Sequence, residues 1–412
     1  MNDIVLPDSS IIEAVEGLEY KAGSKQLVTS IDNFLRIMTS APQYEGVHFN
    51  LMTGRPEVHD SSGVRNWTDT DESESRHFIE TNFHIHNDSK HQDALKILFR
   101  NREYNPLLNL VESFEWDQEN RCEMFLPSIM NAPDTAYVRE VSRLIFAGGI
   151  HRLYNPGCKF DDVPVFIGPQ GCGKSTMVNW LALNDSYYGI TKNMSGDQKS
   201  IEALQGAWIL EIPELAAFRA ADIESLKAFV TTRTDRYRLP FDRNISVLPR
   251  RCIFIGTTNN ASFLTDKTGN RRFYPVNVRS NGYDIFRYKN DIQDFICQCW
   301  AEARERYKRG EMPPVADPSL IADYRQAQQD AMEDDWRIGV IEQFIADKRA
   351  GDYVCVKELF KHCLYPDSNQ EPSAKDSREI GQILDALTGV EKAGPQYTER
   401  YGRQRCWKKI VP

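Results

Sequence analysis

The feature that most constrains the fold of this chain is a glycine-rich segment of eight residues. Residues 168–175 read Gly-Pro-Gln-Gly-Cys-Gly-Lys-Ser, which fits the pattern G-x-x-x-x-G-K-[ST] at every position. The apolar run 163–167 precedes the segment, and a helical pattern begins at Ser175. In such a strand–loop–helix unit, successive backbone N–H groups and the helix N-terminus point at phosphate oxygens. The sequence therefore predicts a phosphate-binding loop at the end of a strand in an α/β core.

The ligand predicted for this loop is ATP with Mg²⁺. Lys174 would supply a positive charge to the β- and γ-phosphates, and the Ser175 hydroxyl would be a Mg²⁺ ligand. A glycine-rich turn without a ligand is the alternative, but the strand before and the helix after the loop argue against it. The residues predicted to contact the nucleotide are Gly168, Pro169, Gln170, Gly171, Cys172, Gly173, Lys174, Ser175 and Thr176.

Two acidic residues lie at the end of the next apolar run, 208–212. A carboxylate at such a strand end can hold the water shell of Mg²⁺, and a second one can orient and polarise the attacking water. We assign Glu211 to magnesium and Glu214 to water activation. An exchange of the two roles, or two surface carboxylates without a role, remains open.

Polar residues that follow a third apolar run, 252–257, complete the predicted catalytic set. Asn259 is predicted to bond the γ-phosphate and the attacking water through its amide, with a turn-forming asparagine as the alternative. Arg271 and Arg272 suit an arginine finger, which neutralises charge developing on the γ-phosphate. A solvated, salt-bridged arginine pair is the alternative for these two residues.

A cluster of arginines marks the predicted DNA contact. The formal net charge of −9 argues against a protein that coats DNA with its whole surface. Six arginines nevertheless lie between residues 233 and 251, interleaved with Tyr237 and Phe241. Arginines neutralise phosphates and aromatic rings stack on bases, although an ion-paired core segment at a subunit interface would have the same composition. The predicted DNA-binding residues are Arg233, Arg236, Tyr237, Arg238 and Arg243.

The length of 412 residues suits two or three domains. The pattern predicts a mixed α/β and helical region at 1–155, an α/β core with a parallel sheet at 156–315, and a connector at 316–335. Residues 336–412 follow the element order of a winged helix-turn-helix, with a small helical cap used only for packing as the alternative. The polar stretch 61–74 is predicted as a surface loop.

The remaining composition favours a reduced, cytosolic protein that does not enter a membrane. The nine cysteines form no C-x-x-C pair, so neither zinc sites nor disulfides are predicted. His84, His86 and His91 could suggest a metal site, but alternation on an exposed strand is the favoured reading. No apolar run approaches the ~20 residues that span a bilayer, and the N-terminus does not resemble a secretory signal.

Taken together, the motifs resemble those of the virulence-associated protein E family of phages and mobile islands. The resemblance rests on GPQGCGKST at 168–176, LQGAWILEIPEL at 204–215, SLKAFVTTRTDRYRLPF at 225–241, RRCIFIGTTN at 250–259 and GNRRFYPV at 269–276. The family is similar to superfamily 3 helicases. One departure is Pro213, which stands where members commonly carry an aspartate, and it leaves the division of labour between Glu211 and Glu214 open.

The resemblance implies a P-loop NTPase core of the AAA+-like type with an N-terminal collar. It also implies ATP-driven translocation on single-stranded DNA by a hexameric ring of identical subunits, in which the arginine finger comes from the neighbouring subunit. Phage or host replication proteins would be partners, in the cytoplasm of a bacterial host. Two alternatives remain: a DNA-binding initiator or loader that does not unwind, and a regulatory or interference protein that acts on a host partner.

Overall fold

The computed structural model divides the chain into two compact units, residues 1–332 and 333–412. It describes residues 15–191, 201, 204–215, 220–237, 246–264, 270–280, 282, 284–332, 336–366 and 370–410, without the side chains of residues 220, 221, 237, 246, 336 and 386. The predicted boundary at 335/336 lies close to this division. The predicted boundary at 155/156 lies inside the first unit.

The first unit begins with a small subdomain that has its own apolar core. Its elements are α1 (Ile31–Ser40), β1 (Val47–Asn50), β2 (Arg55–Asp60), β3 (Gly63–Asn66), α2 (Asp69–Phe83), α3 (Asp88–Asn101) and β4 (Glu103–Tyr104). The four strands form one sheet in the order β3-β2-β1-β4, in which β1 and β2 pair antiparallel as a hairpin. The core of this subdomain is built from buried residues that include Phe34, Ile37 and Leu95.

The surface loop predicted for residues 61–74 is wrong. The stretch forms β3 and the first turn of α2 instead. Thr68 caps α2 by accepting a hydrogen bond from Asp71 N–H, while the Asp71 carboxylate accepts one from Thr68 N–H. Acidic residues in a first helical turn also interact favourably with the positive end of the helix dipole. The acidic composition of this stretch therefore marks a helix N-terminus.

The next helices share one core with the large sheet. They are α4 (Pro106–Glu112), α5 (Phe125–Met130) and α6 (Ala136–Tyr154). Trp208 Nε1 donates to Gly149 O of α6 over 3.0 Å, and Trp208 and Trp300 lie 4.1 Å apart between ring centroids. A Cβ atom at Gly149 would come within 2.5 Å of the Trp300 ring, so this close packing requires glycine. The region before residue 155 is therefore not structurally separate from the core that follows it.

A parallel sheet forms the centre of the first unit. The strands that follow α6 are β5 (Val163–Ile167), β6 (Tyr188–Ile190), β7 (Ile209–Ile212), β8 (Thr234–Tyr237), β9 (Ser246–Pro249), β10 (Ile253–Thr258) and β11 (Phe273–Asn277). Five of them pair in parallel in the order β11-β5-β10-β7-β6. The residues of β5, β7 and β10 are all buried, as expected for strands covered on both faces. The predicted α/β class with a parallel sheet is confirmed.

The strand order places a topological switch point at β5. The chain passes from β5 to the far edge of the sheet at β6, returns through β7 and β10, and then reaches β11 on the other side of β5. Crevices at the carboxyl ends of strands beside such a point are the usual ligand sites of open α/β sheets. The residues after β5, β7 and β10 all lie at this edge.

Helices that follow the strands complete the first unit. They are α7 (Lys174–Leu181), α8 (Ala220–Thr231), α9 (Lys289–Lys308) and α10 (Ile321–Asp330). In the stretch predicted as a connector, α10 packs on β11, because Tyr324 lies 5.4 Å from Tyr274 and Gln328 Nε2 donates to Phe273 O over 3.0 Å. Most of the predicted connector therefore belongs to the first unit.

The described residues of the second unit form three helices and a three-stranded antiparallel sheet. Its elements are α11 (Trp336–Ala346), β12 (Tyr353–Cys355), α12 (Val356–Leu359, which continues as a π-helical turn, Phe360–Leu364), α13 (Ala374–Ala386), β13 (Val390–Thr398) and β14 (Gly402–Lys409). Trp407 is 1% exposed at the centre of its core, and its Nε1 donates to Asp385 Oδ1 over 2.7 Å. β13 and β14 pair antiparallel, with Val390 opposite Lys409 and Glu391 opposite Lys408.

The histidines and cysteines considered as metal ligands do not form a metal site within the described residues. His84 and His86 lie at the end of α2 and beyond it, and the buried His91 lies in α3, 2.9 Å from Ser75 Oγ, so the exposed strand proposed for them is wrong. Within the described ranges, no cluster of three or more His, Cys, Asp and Glu could hold a metal ion. All nine cysteines are described and are free thiols. No described helix is both long and apolar enough to cross a bilayer.

Candidate nucleotide-binding site

The Gly168–Ser175 segment connects β5 to α7 as a tight loop that depends on its glycines. Gly171 and Gly173 adopt positive φ angles of 81° and 89°, which favour glycine, and Gly173 is the residue that caps α7. A Cβ atom at Gly168 would lie 2.5 Å from Val278 O. Gly168 N also donates to Thr258 O over 3.2 Å, which ties the start of the loop to the end of β10. The glycines therefore allow a tight loop that places the N-terminus of α7 at the switch point of the sheet.

Lys174 joins the loop to the residue after β10. Its buried Nζ donates to Gly168 O over 2.6 Å, to Pro169 O over 2.9 Å and to Asn259 Oδ1 over 2.8 Å. The structure therefore brings together Lys174 and Asn259, which the sequence assigned to the same γ-phosphate. Phosphate oxygens carry negative charge and are stronger acceptors than neutral carbonyl groups, so the ammonium can exchange its loop partners for a phosphate.

Glu211 lies in β7, opposite the start of α7, and is 1% exposed. Its Oε1 accepts hydrogen bonds from Ser175 Oγ over 2.7 Å and from Thr257 Oγ1 over 2.5 Å. Its Oε2 accepts one from the Tyr188 hydroxyl. Burial, together with this bond to Glu211, raises the pKa of Tyr188 well above its usual value. The predicted pair of Ser175 and Glu211 is thus in direct contact.

The pair of Ser175 and Glu211 fits the coordination chemistry of Mg²⁺, which prefers hard oxygen ligands. An ionised carboxylate only accepts hydrogen bonds, so the single hydroxyl proton of Ser175 is committed to Glu211. The lone pairs of Ser175 Oγ remain for a cation, and Ser175 is exposed at this edge of the sheet. The donor set therefore matches the metal predicted from the sequence.

Glu214 is placed differently from Glu211. It is exposed beyond the end of β7 and adopts a left-handed φ of 53°, directly after Pro213. A residue other than glycine rarely holds this conformation, and such positions concentrate at functional sites. Of the two carboxylates, Glu211 is the one in contact with Ser175.

Arg271 and Arg272 lie at the other end of the sheet. They precede β11, whose first residue, Phe273, pairs with Val163 at the start of β5. The length of β5, about 16 Å at ~3.3 Å per residue, therefore separates these arginines from the loop of their own chain. Arg271 is exposed, and Arg272 forms an ion pair with Asp161, with 3.3 Å between Nε and Oδ2.

Two of the predicted DNA-binding residues, Arg236 and Tyr237, lie in β8, which pairs antiparallel with β9, and Arg233 directly precedes β8. Arg233 and Arg236 are exposed, and Arg233 Nε also donates to Gly157 O over 2.7 Å. Arg238, Arg243 and the side chain of Tyr237 lie outside the described residues.

A neighbouring arginine of the same cluster has a structural role. Arg250 is 4% exposed, and its guanidinium contacts both carboxylate oxygens of Asp235, over 2.7 and 2.8 Å. The guanidinium also lies 4.4 Å from the centre of the Phe229 ring. For Arg250, the ion-paired core segment considered for this cluster is therefore the correct interpretation.

Two site residues escaped the sequence reasoning, Tyr188 and Thr257. Thr257 lies two positions before Asn259 in an otherwise apolar strand, and this polar residue inside an apolar run was the available signal. Tyr188 reaches Glu211 from β6, a strand that the sequence reading did not identify. Only the pairing of β6 with β7 shows that the two residues are neighbours.

Comparisons with known proteins identify a family. The model of the virulence-associated protein E-like domain matches residues 111–334, more than half of the 412 residues. The solved structure described as the apo structure of NrS-1 C terminal region (305-718) has a TM-score of 0.49 at 12% identity, covering 89% of this chain and 96% of that one. The A form apo structure of NrS-1 C terminal region-CTR gives the same values.

The two structural similarities are too weak to support a conclusion about function, and a search of curated proteins finds no match. The family match stands independently of them. It spans the Gly168–Ser175 loop, Glu211, Asn259 and the arginine pair. The chain therefore belongs to the virulence-associated protein E-like domain family.

Proposed function

We propose that this chain is a Mg²⁺-dependent ATPase with an AAA+-like P-loop NTPase core, and that it drives a DNA helicase in the replication of a phage or mobile element. One observation carries the ATPase assignment. Beside three neighbouring strands of one parallel sheet, β5, β7 and β10, Lys174 bonds Asn259 while Ser175 bonds the buried Glu211 of β7. An apolar core would gain nothing from burying this carboxylate, whereas a phosphate and metal site needs it.

Each group then has a distinct task. Lys174 and the loop N–H groups bind the β- and γ-phosphates, and Asn259 beside Lys174 orients the γ-phosphate and the attacking water. Ser175 and Glu211 hold Mg²⁺, which supplies charge neutralisation on the phosphates. The exposed Glu214 receives the proton of the attacking water.

Hydrolysis by this arrangement requires a second subunit. Arg271 and Arg272 lie at the amino ends of the strands, about 16 Å from the loop of their own chain. An arginine finger can then reach the γ-phosphate only from a neighbouring copy. A homo-oligomeric ring, with six subunits as the family resemblance implies, provides such a neighbour at every site.

The β8–β9 hairpin is the proposed contact with single-stranded DNA. Arg233 and Arg236 lie on its exposed surface, in a chain that is acidic overall. The buried ion pair of Arg250 and Asp235 stabilises the same hairpin. The order of helices and the β13–β14 hairpin in the second unit support a winged-helix-like domain. Such a domain would give the protein a further contact with nucleic acid.

The proposed activity is tested by ATP hydrolysis and strand displacement with purified protein. The wild-type chain should hydrolyse ATP faster with single-stranded DNA and displace an annealed strand, and Lys174→Ala should abolish both. Stimulated hydrolysis without displacement would indicate the initiator or loader, and hydrolysis indifferent to DNA would indicate the regulatory protein. A wild-type chain that forms its oligomer and does not hydrolyse ATP would refute the proposal.

The DNA surface has a separate test with a matched control. The Arg233→Ala/Arg236→Ala double variant should lower DNA affinity and make it less dependent on salt. The slope of log K against log salt should fall by about 0.7 for each phosphate that the variant no longer neutralises. Arg325→Ala removes a comparably exposed arginine from α10 and should leave the slope unchanged. Identical slopes for the double variant and the wild type would exclude this hairpin as the DNA contact.

A further inference from the structure

The hydroxyl of Tyr188 is an unassigned part of the proposed site. Tyr188 begins β6, the edge strand beside β7, and it pairs with Ile209 while Ile190 pairs with Glu211. Tyr188 and Glu211 are therefore diagonal neighbours on one face of the sheet, a spacing that an aromatic side chain can bridge. The Tyr188 hydroxyl donates to Glu211 Oε2.

The hydrogen bonds of Glu211 are divided unequally between its two oxygens. Oε1 has two donors, Ser175 and Thr257, whereas within the described residues Oε2 has the Tyr188 hydroxyl alone. The last torsion of a glutamate side chain is soft, so hydrogen bonds must fix the plane of the carboxylate. With Oε1 held on one side and Oε2 on the other, the carboxylate cannot turn without breaking a bond.

We propose that Tyr188 is a positioning residue for the Mg²⁺ site. It holds Oε2, so that Oε1 stays with Ser175 and the lone pairs of Ser175 Oγ stay directed to the metal. The inference rests on the proposed function and extends it to a residue outside the loop and the acidic pair. Groups that orient metal ligands in this way commonly change metal affinity by about 10- to 100-fold when they are removed.

Tyr188→Phe is the appropriate variant, because it removes the hydroxyl and keeps the ring. The matched control is Tyr187→Phe in the adjacent residue. The Tyr187 ring is also partly buried and packs against the same core, but its hydroxyl has no hydrogen-bond partner within the described residues. The two variants make the same chemical change at consecutive positions, and only Tyr188→Phe alters the surroundings of Glu211.

The measurement is the binding of a fluorescent ADP analogue during a Mg²⁺ titration, with thermal melting and with binding in EDTA as further readouts. Tyr188→Phe should raise the half-saturating Mg²⁺ concentration by about tenfold or more. Its melting temperature and its metal-free affinity for the analogue should match those of Tyr187→Phe. Paramagnetic resonance of bound Mn²⁺ in the presence of ADP should show the same loss of metal affinity.

The outcomes separate this inference from the proposed function. If the wild type and Tyr188→Phe require the same Mg²⁺ concentration while Lys174→Ala fails to bind the analogue, the nucleotide site stands and Tyr188 has no positioning role. If Tyr188→Phe also lowers the melting temperature and the metal-free affinity for the analogue, relative to Tyr187→Phe, the loss of Mg²⁺ affinity comes from weaker core packing and the positioning role is refuted. A wild-type chain that does not bind the analogue at any Mg²⁺ concentration would overturn both proposals.

Discussion

Subunits that are inactive for different reasons should restore each other's activity. Lys174→Ala damages the loop at the carboxyl end of β5, and Arg271→Ala damages the opposite end of the same sheet. Since about 16 Å separates the two ends within one chain, both residues can serve one nucleotide only across an interface. Each variant alone should lose hydrolysis, with a loss of about 10³-fold or more for the arginine.

The size of the recovery follows from counting interfaces. An interface is competent when its loop comes from an Arg271→Ala subunit and its arginine from a Lys174→Ala subunit. In rings assembled at random from equal amounts of the two variants, about one interface in four meets this condition. Phosphate release by the mixture should therefore reach about a quarter of the wild-type rate if the interfaces turn over independently.

The assay is steady-state phosphate release after the two variants are mixed under conditions that allow subunits to exchange. Native mass spectrometry of variants that differ in mass should verify the mixed assemblies. Mixing Lys174→Ala with Lys174→Ala/Arg271→Ala is the control, because no combination of these chains restores an interface. Verified mixed rings without turnover, or an Arg271→Ala protein with wild-type turnover, would refute the separation of the two residues between subunits.

Two further predictions concern stability. Arg250→Met should lower the free energy of unfolding by about 3–5 kcal/mol in urea, because it leaves the buried Asp235 carboxylate without its partner. Arg250→Met/Asp235→Leu should recover most of that loss, and a single variant as stable as the wild type would contradict the structural role. The Arg65 guanidinium lowers the pKa of Asp71 from 3.8 to about 2, so the ionised carboxylate stabilises the fold above pH ~4, by about 1 kcal/mol because solvent screens the half-exposed Arg65 side chain. Asp71→Asn should lower the urea midpoint at pH 7, and its difference from the wild type should vanish as the pH falls through about 2.

The part of the site that the sequence predicts is the part whose chemistry dictates residue type. A loop that wraps phosphates needs glycine at positions such as Gly171 and Gly173, and it needs a cation and a hydroxyl after them. Parallel strands buried on both faces appear as apolar runs, so β5, β7 and β10 and the polar residues at their ends can be found without coordinates. The contact between Ser175 and Glu211 was predictable for this reason.

The residues that sequence reasoning missed are defined by pairing across strands. Nothing in the local sequence distinguishes Tyr188 from Tyr187, and only the register of β6 against β7 directs one of the two hydroxyls to Glu211. Arg250 and Arg236 also look alike in a segment rich in arginine. Their separation into a buried and an exposed residue depends on Asp235, which meets Arg250 because β8 and β9 form a hairpin.

The boundary predicted at residue 155 failed for a related reason. The amphipathic pattern predicts that α6 is a helix, and it does not show which elements cover that helix. In the structure α6 is buried nearly all round, because Phe160 and Trp300 fill the space left by Gly148 and Gly149. A helix that is buried on nearly all sides belongs to the centre of a domain, and the two adjacent glycines permit this close packing.

The two ends of the parallel sheet constrain how subunits can associate. One end carries the loop, with Glu211 beside it, and the other carries Arg271 and Arg272, so the two parts of the proposed site lie at opposite ends of the sheet in one chain. A two-fold axis pairs a residue of one subunit with a different residue of the other, so it can match a loop with an arginine only if one reciprocal contact includes both ends of the sheet. If Arg271 acts across a head-to-tail contact instead, that contact either closes into a ring or continues as a filament. A reciprocal dimer and a closed ring both give every loop an arginine at a finite number of subunits; the mixing experiment measures whether the contact exists, and native mass spectrometry of the same mixture counts the subunits.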